Sequence, residues 1–281
     1  MNEPGITGED AVPKTIWFVW FQGMERAPDV VRRCHETWLR QNTGWDVVTL
    51  DETSLGEFAS LDYAHGALAK QSPNHRANVL RMELLARHGG VWVDATCFCV
   101  RPLDEWLPAQ MSSGFFAFAR PARSRLLANW FLAARPDNLL VVRWLELMGP
   151  YWSRHTFRND GRLVSLLERH LNGSPRRRAW WFSPLVRDVL RVGPYFAFHY
   201  GFEKLVREDP EVARIWDATP KIGADGPHRP QKEGLLEPIS AGLRDEIDRR
   251  DAALYKLSWK LAGRPIPSGS ALDYILSSVE S

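Results

Sequence analysis

Residues 72–104 constrain the fold of this chain more than any other stretch, because they combine a helix, a stop signal, a buried strand and an acidic turn. Pro73 suits the first turn of a helix, and the apolar residues after it recur at helical spacing. The Gly-Gly pair 89–90 ends that helix, since glycine adopts a left-handed backbone at low cost. Residues 91–93, Val-Trp-Val, are typical of a buried strand, and Asp94 follows them. Open α/β sheets bind ligands at the carboxyl ends of their strands, so Asp94 is a candidate site residue.

Two interpretations of Asp94 are open from this stretch alone. A carboxylate directly after a buried strand can bind a metal ion or lie beside a phosphate group. It can also simply cap the turn that Ala95 and Thr96 begin.

The first hundred residues alternate between strand and helix patterns. Residues 14–21 are apolar on both faces, as in a central strand, and residues 28–40 carry a helical apolar stripe. A second strand is predicted over residues 45–50 and a short helix over residues 51–59. This alternation indicates βαβ units and a parallel sheet. No linker rich in Gly, Ser or Pro divides the chain, so we expect one domain after a loose tail over residues 1–12.

Composition excludes some classes of protein. The 281 residues include 36 basic and 34 acidic side chains, a net charge of +2 that gives no global argument for nucleic-acid binding. The three cysteines, Cys34, Cys97 and Cys99, are an odd number that predicts reduced thiols rather than a disulfide framework. No apolar run approaches the roughly 18 residues that span a bilayer. We therefore expect a cytoplasmic protein with at most peripheral membrane contact.

The sequence lacks both common phosphate-binding loops. Neither GxGxxG nor GxxxxGK[ST] occurs, although the predicted sheet is of a nucleotide-binding kind. A metal ion at the strand-end acid, helped by basic side chains, would be the substitute.

Four segments together resemble a known family. They are residues 13–23 (PKTIWFVWFQG), 76–96, 193–200 (GPYFAFHY) and 256–260 (KLSWK). In this order they resemble the capsular polysaccharide synthesis proteins, which are sugar-nucleotide-dependent glycosyltransferases. They are also similar to the wider DxD sugar-binding transferases, including yeast-type initiating mannosyltransferases and clostridial glucosylating toxins. The resemblance implies a GT-A fold, with a mainly parallel mixed sheet flanked by helices. It implies a nucleotide-binding half over about 13–110, and an acceptor side with a C-terminal closing loop over about 111–281.

The resemblance also implies roles for particular residues. A divalent cation, Mn²⁺ or Mg²⁺, and a UDP-sugar donor are expected, with Asp94 and Arg81 acting on the leaving diphosphate. The remaining implied contacts are the metal ligands Asp94, Thr96 and Ser258 and the donor-binding residues Val19, Trp20, Asn78, Arg81, His199, Lys256, Ser258 and Trp259. Two positions depart from the pattern of relatives: Asn78 stands where they have Asp, and Thr96 where they have the last acid of Asp-x-Asp. We expect weaker metal affinity from the second change.

Each of these residues also has a structural interpretation. Trp20 can be a core residue, and Asn78 and Arg81 can belong to a solvated helix face. His199, among aromatic residues, can be a satisfied structural histidine, and residues 258–259 can end a helix over residues 243–261.

Two further segments allow both a functional and a structural interpretation. Residues 220–231, rich in Pro and Gly, can form a mobile lid or an inert surface loop. Residues 176–182, three arginines before Ala-Trp-Trp-Phe, can meet an anionic lipid-linked acceptor or a membrane surface, or form a solvated basic edge.

The predicted function is glycosyl transfer, with retention of configuration implied by the resemblance, in capsular or cell-surface polysaccharide synthesis. The acceptor would be a saccharide or a lipid-linked sugar. One alternative is a tailoring enzyme that glycosylates a small secondary metabolite. Another is a nucleotide-sugar-binding protein without transfer activity, suggested by Asn78 and Thr96. Nucleic acid is not an expected partner, because the arginine clusters belong to no recognised nucleic-acid-binding module.

Overall fold

The computed structural model describes residues 11–158 and 161–278. Its strands are β1 (Thr15–Val19), β2 (Asp46–Leu50), β3 (Gly90–Asp94), β4 (Cys97–Cys99), β5 (Phe115–Ala122), β6 (Arg125–Ala134) and β7 (Leu254–Lys256). Its helices are α1 (Asp29–Gln41), α2 (Gly66–Ala69), α3 (Pro73–His88), α4 (Leu139–Ser153), α5 (Arg162–Leu171), α6 (Pro175–Arg178), α7 (Ala197–Glu208), α8 (Pro210–Ala218), α9 (Asp225–Glu233), α10 (Ala241–Asp248) and α11 (Ala271–Ser277). Of the predicted tail, residues 1–10 lie outside the described part of the chain.

A five-stranded sheet in the order β2-β1-β3-β6-β5 forms the centre of the fold. Strand β1 pairs in parallel with β2 and β3, whereas β6 runs antiparallel to both of its neighbours. Four strands therefore point the same way, which confirms the predicted mixed, mainly parallel sheet in a single domain.

Helices cover both faces of the sheet because the side chains of β1 alternate between them. Ile16 and Phe18 pack in one core with Cys34 and Trp38 of α1. On the other face, Trp17 packs in a second core with residues of α3, α4 and α7. A strand that is buried on both faces is apolar along its length, as β1 is.

The Gly-Gly turn aligns the strand ends that carry the candidate site. Gly89 caps α3 with a φ of +65°, and Gly90 opens β3 with a φ of +91°. The register then places Asp94 beside Val19 at the carboxyl end of β1. Helix, turn and strand thus follow the prediction for residues 72–104.

A two-stranded sheet brings the C-terminal part of the chain to this same edge. Strand β7 pairs antiparallel with β4, so that Lys256 lies opposite Cys97. The predicted helix over residues 243–261 was wrong, because α10 ends at Asp248 and β7 follows it. Strand pairing with β4, more than 150 residues away in sequence, overrides the local helical spacing.

Two other local predictions need correction. Residues 225–233 form helix α9, which packs against β7 with Pro227 and Pro230 buried, and are neither an irregular lid nor a surface loop. Pro227 lies in the first turn of α9, where proline is tolerated, whereas Pro230 lies inside the helix, so the Pro-rich composition misled the prediction. Residues 51–59 contain only a 3₁₀ turn at Leu55–Glu57.

Two sequence-based exclusions can be compared with the structure. All three cysteines are unpaired and buried. None of the helices in the described residues combines the length and apolar character needed to cross a bilayer.

The Gly90 position yields a stability prediction. A Cβ on Gly90 would lie 2.5 Å from the backbone oxygen of Thr15, and its φ of +91° is strained for any other residue. We expect Gly90→Ala to lower the free energy of unfolding by about 3 kcal/mol, measured by urea denaturation. Gly56→Ala is the control, because a Cβ there meets nothing within 4 Å. Equal stability of the two variants would contradict this account of the turn.

Candidate active site

A cavity of about 360 Å³ opens at the carboxyl ends of β1 and β3. Its lining combines side chains from β1, α3, the turn after β3 and the C-terminal segment: Val19, Trp20, Phe21, Gln22, Pro73, Asn74, Ala77, Arg81, Trp92, Asp94, Ala95, Thr96, Lys256 and Trp259. This first cavity contains most of the residues that the sequence selected.

Asp94 lines this first cavity, and one of its carboxylate oxygens is hydrogen-bonded to other side chains of the protein. Its Oδ1 accepts hydrogen bonds from Trp92 Nε1 at 3.0 Å and from Arg81 Nη2 at 3.2 Å. Among the described residues, Oδ2 has no hydrogen-bond partner, and the side chain is 30% exposed. No described backbone N–H of the following turn donates to this carboxylate, so the turn-cap interpretation lacks support.

Arg81 is buried beneath Asp94 and fixes its position. Its Nε donates to the Ala77 carbonyl at 3.1 Å, Nη1 donates to the Asn129 carbonyl, and the guanidinium lies 4.8 Å from the centre of the Trp92 ring. Burial lowers the pKa of Arg81 below its ordinary value, while the Asp94 carboxylate opposes that shift. A buried guanidinium needs such partners, and here they orient the acid.

Lys256 reaches the same cavity from strand β7. Its Nζ donates to Thr96 Oγ1 and to the Leu257 carbonyl at 3.2 Å, and no carboxylate within the described residues forms an ion pair with it. Thr96 is buried, and its hydroxyl accepts this bond. A cationic ammonium therefore lies close to Asp94, where the departure from Asp-x-Asp occurs.

The two tryptophans at the mouth of the first cavity contact each other. The rings of Trp20 and Trp259 meet edge-on with their centroids 6.5 Å apart. Trp20 Nε1 is buried without a hydrogen-bond partner in the described part of the chain. Ser258 lies outside the lining: it caps the 3₁₀ turn Trp259–Leu261 by accepting a bond from the Lys260 N–H at 3.3 Å.

Among the described residues, the first cavity offers few oxygen ligands to a divalent cation. The described residues contain no group of three or more His, Cys, Asp or Glu that could hold a metal ion. Asp94 offers one free oxygen, whereas the hydroxyl of Thr96 already accepts from Lys256. Mg²⁺ is often held by one or two carboxylates together with substrate phosphates. Asp94 fits that arrangement, with a ligand completing the shell.

A second cavity of about 190 Å³ adjoins the first and shares Asn74, Arg81 and Asp94 with it. Its other lining residues are His75, Asn78, Arg125, Asn129, Tyr195, Phe196, Phe198 and His199. Asn78 Oδ1 accepts a bond from Asn129 Nδ2 at 2.9 Å. Three buried nitrogens of this lining have no partner among the described residues: His75 Nε2, Arg125 Nε and His199 Nδ1. Buried polar atoms are usually paired, so these three nitrogens offer hydrogen-bonding positions to a polar ligand.

Comparison with known proteins identifies the family of this chain. Residues 6–160, more than half of the chain, match the family described as capsular polysaccharide synthesis protein. The chain belongs to that family.

Curated relatives include proteins named as glycosyltransferases. The probable glycosyltransferase FCK3 of Fusarium pseudograminearum is 24% identical over 89% of this chain and 72% of its own length. The O-glycosyltransferase braB of Annulohypoxylon truncatum is 27% identical over 51% of this chain, which spans only 38% of braB. In structure, PaToxG Glycosyltransferase overlaps 74% of this chain and 85% of its own at 13% identity, with a TM-score of 0.39. That overlap is too loose to assign an activity to this family member.

Sequence reasoning missed part of the second cavity. Asn74 and His75 lie one helical turn before Asn78 on α3, a spacing that could have identified them. Arg125 and Asn129 come from β6 and carry no local signal, because only the fold brings them to α3. His199, which the resemblance implies to be a donor-binding residue, lies in this second group.

His199 gives a pH-dependent prediction. Burial lowers its pKa to about 3, and the charges of Arg125 and Arg81 act in the same direction. The pKa of His199 is lower in the folded protein than in the unfolded chain, where it is about 6.5. Its contribution to stability is therefore fully present above pH ~6.5 and is lost as the pH falls towards ~3. Between about pH 6 and 4, we expect the wild type to lose about 1 kcal/mol more of its unfolding free energy per pH unit than the His199→Asn variant. Exposed His170, changed to Asn, is the control; equal pH slopes for wild type and His199→Asn would refute the assignment.

Proposed function

We propose that this chain is a glycosyltransferase that moves a sugar from a UDP-linked donor to an acceptor hydroxyl. The observation that carries the proposal is the first cavity, whose lining combines an aromatic side chain, a carboxylate oxygen that has no partner among the described residues, and an ammonium group. These groups come from Trp20, Asp94 and Lys256. Trp20 would contact the base, Asp94 a cation bound to the diphosphate, and Lys256 the negative charge of a phosphate group.

The donor would lie with its uracil against Trp20 and its diphosphate between Asp94 and Lys256. Aromatic faces stack on planar bases, and the edge of Trp259 would close the other side of the base. A divalent cation bound to Asp94 would supply charge neutralisation of the leaving diphosphate. Lys256 would stabilise the same developing charge, and Arg81 would hold Asp94 in place from below.

The transferred sugar would occupy the second cavity. Its hydroxyl groups can meet the amide of Asn74 and the unpartnered nitrogens of His75 and His199. The paired amides of Asn78 and Asn129 offer further donors and acceptors. The shared residues Arg81 and Asp94 would then lie at the bond that breaks.

Retention of configuration is part of the proposal. Among the described residues, Asp94 is the only carboxylate that lines either cavity. His199, with its lowered pKa, is a weak base. Inversion by direct attack requires a base for the acceptor hydroxyl, and neither cavity presents an obvious one.

Two acceptor classes remain candidates for the same chemistry. The family description favours a capsular or cell-surface polysaccharide. The name of the relative braB, an O-glycosyltransferase, specifies transfer to oxygen, which fits a hydroxyl of a small secondary metabolite as well as one of a saccharide. A binding protein without transfer activity is the third candidate, since the Thr96 hydroxyl is occupied by Lys256. Calorimetry with UDP and Mn²⁺, beside a UDP-release assay across acceptors, separates binding from turnover.

Asp94→Asn tests the chemistry at the leaving group. The amide oxygen can still accept from Arg81 and Trp92, but the charge that binds the cation and compensates Arg81 is lost, so urea denaturation first checks that the variant is folded under the assay conditions. We expect UDP release from UDP-sugars, by transfer or hydrolysis, to fall about 100-fold or more. Asp104→Asn, at an exposed ion pair with Lys14, is the matched control. Undiminished UDP release by Asp94→Asn would contradict the assignment of Asp94 to the leaving diphosphate.

Trp20→Leu tests the base site. Base stacking contributes about 1–3 kcal/mol, so we expect UDP to bind roughly 10- to 100-fold more weakly by calorimetry. Trp180→Leu, at an exposed tryptophan outside both cavities, should bind UDP as the wild type does. Equal UDP affinity in the Trp20 and Trp180 variants would place the base elsewhere.

A further inference from the structure

One face of the protein exposes an unusual concentration of large apolar side chains. Ten large hydrophobic residues of the described chain are exposed, and six of them lie within residues 163–195. They are Leu163, Leu166, Trp180, Leu185, Val189 and Tyr195. Three elements carry the first five: the 3₁₀ helix Ala179–Phe182 packs against both α5 and the π-helix Leu185–Leu190. Exposed apolar side chains grouped in this way mark an interaction surface.

The same segment is strongly basic. Residues 154–191 contain nine arginines and three acidic residues in a chain whose net charge is +2, so the rest of the chain is net negative. Arg178 is buried in a bidentate pair with Glu203, and Arg187 pairs with Asp188. The exposed arginines are Arg154, Arg158, Arg162, Arg169, Arg176, Arg177 and Arg191. We call the exposed side chains of residues 154–158 and 161–195 the basic apolar face.

We propose that the basic apolar face binds the surface of a bilayer that contains anionic lipids. Leucine, valine and tryptophan side chains can enter the boundary between headgroups and acyl chains, and arginines pair with anionic headgroups above it. A second copy of this chain would set two arginine-rich faces against each other. Nucleic acid would use the charge, but leucine and valine do not stack on bases. Only an anionic bilayer uses both properties of the face.

Docking would orient the second cavity. Tyr195 is exposed on the basic apolar face and also lines that cavity. The backbone that leads to it is tied to the face, because Arg158 N–H donates to the Arg191 carbonyl and Gly193 N–H to the Arg158 carbonyl. If the proposed function holds, the cavity for the transferred sugar would open next to the membrane, where a lipid-linked acceptor would be presented.

Vesicle co-sedimentation tests the membrane proposal without any enzyme assay. The full chain should sediment with vesicles of phosphatidylcholine mixed with phosphatidylglycerol and remain in the supernatant with phosphatidylcholine alone. Binding should weaken as salt is raised, because screening reduces the attraction of exposed charges. Absence of binding to the mixed vesicles at low salt would overturn the proposal.

Paired variants separate the two contributions. Arg176→Gln with Arg177→Gln should weaken binding roughly 20-fold, from the charge of two arginines near an anionic surface. Trp180→Ser with Leu185→Ser should weaken it about 10-fold or more, from lost apolar burial. Controls are Arg214→Gln with Arg249→Gln, which removes two exposed charges elsewhere, and Leu39→Ser, an exposed leucine on α1.

Each variant should bind UDP as the wild type does, which shows that it is folded and keeps this test separate from that of the proposed function. Full binding by the Trp180 and Leu185 variant, with loss in the arginine variant, would show a polyanion site and overturn the bilayer proposal. Equal loss in the control variants would also overturn it.

Discussion

The ion pair between Arg81 and Asp94 connects the core of this protein to its candidate site. Arg81 is almost completely buried between Trp92 and Phe198, where an unpaired cation would be costly. Asp94 compensates that charge with one oxygen and turns the other towards the first cavity. The pair also forms the boundary at which the two cavities meet. The position of the acid therefore depends on helix α3, strand β3 and the glycine turn between them.

Much of the frame around this pair could be predicted from sequence, because it is encoded locally. The glycines at 89–90, the Val-Trp-Val run and the acid after it lie within six residues, and periodicity identifies the helix before them. Trp20 was predicted at the end of β1, and the parallel register places Asp94 directly beside its neighbour Val19. Local patterns of this kind need no knowledge of distant contacts.

The rest of the site depends on contacts that no local pattern contains. Thr96 is held by Lys256, 160 residues further along the chain, so its role as a metal ligand could not be judged from the turn alone. The second cavity joins α3 to Asn129 of β6 and His199 of α7, which are distant in sequence. The helix predicted over residues 243–261 was wrong for the same reason, since pairing with β4 decides the conformation there.

The distribution of charge in this family member is relevant to both proposals. Lys256, which forms no ion pair with a carboxylate of the described residues, lines the proposed diphosphate site, and Tyr195 of the basic apolar face lines the second cavity. The proposed donor and a lipid-linked acceptor would then meet at Asp94, which lines both cavities. This arrangement links the proposed chemistry to the proposed place of action.

A crystal structure of the chain with UDP and Mn²⁺ tests the central claim most directly. The account predicts an anomalous peak for Mn²⁺ about 2.2 Å from Asp94 Oδ2, the uracil against Trp20 and the diphosphate within reach of Lys256. UDP bound away from the first cavity, or Mn²⁺ bound without contact to Asp94, would contradict it.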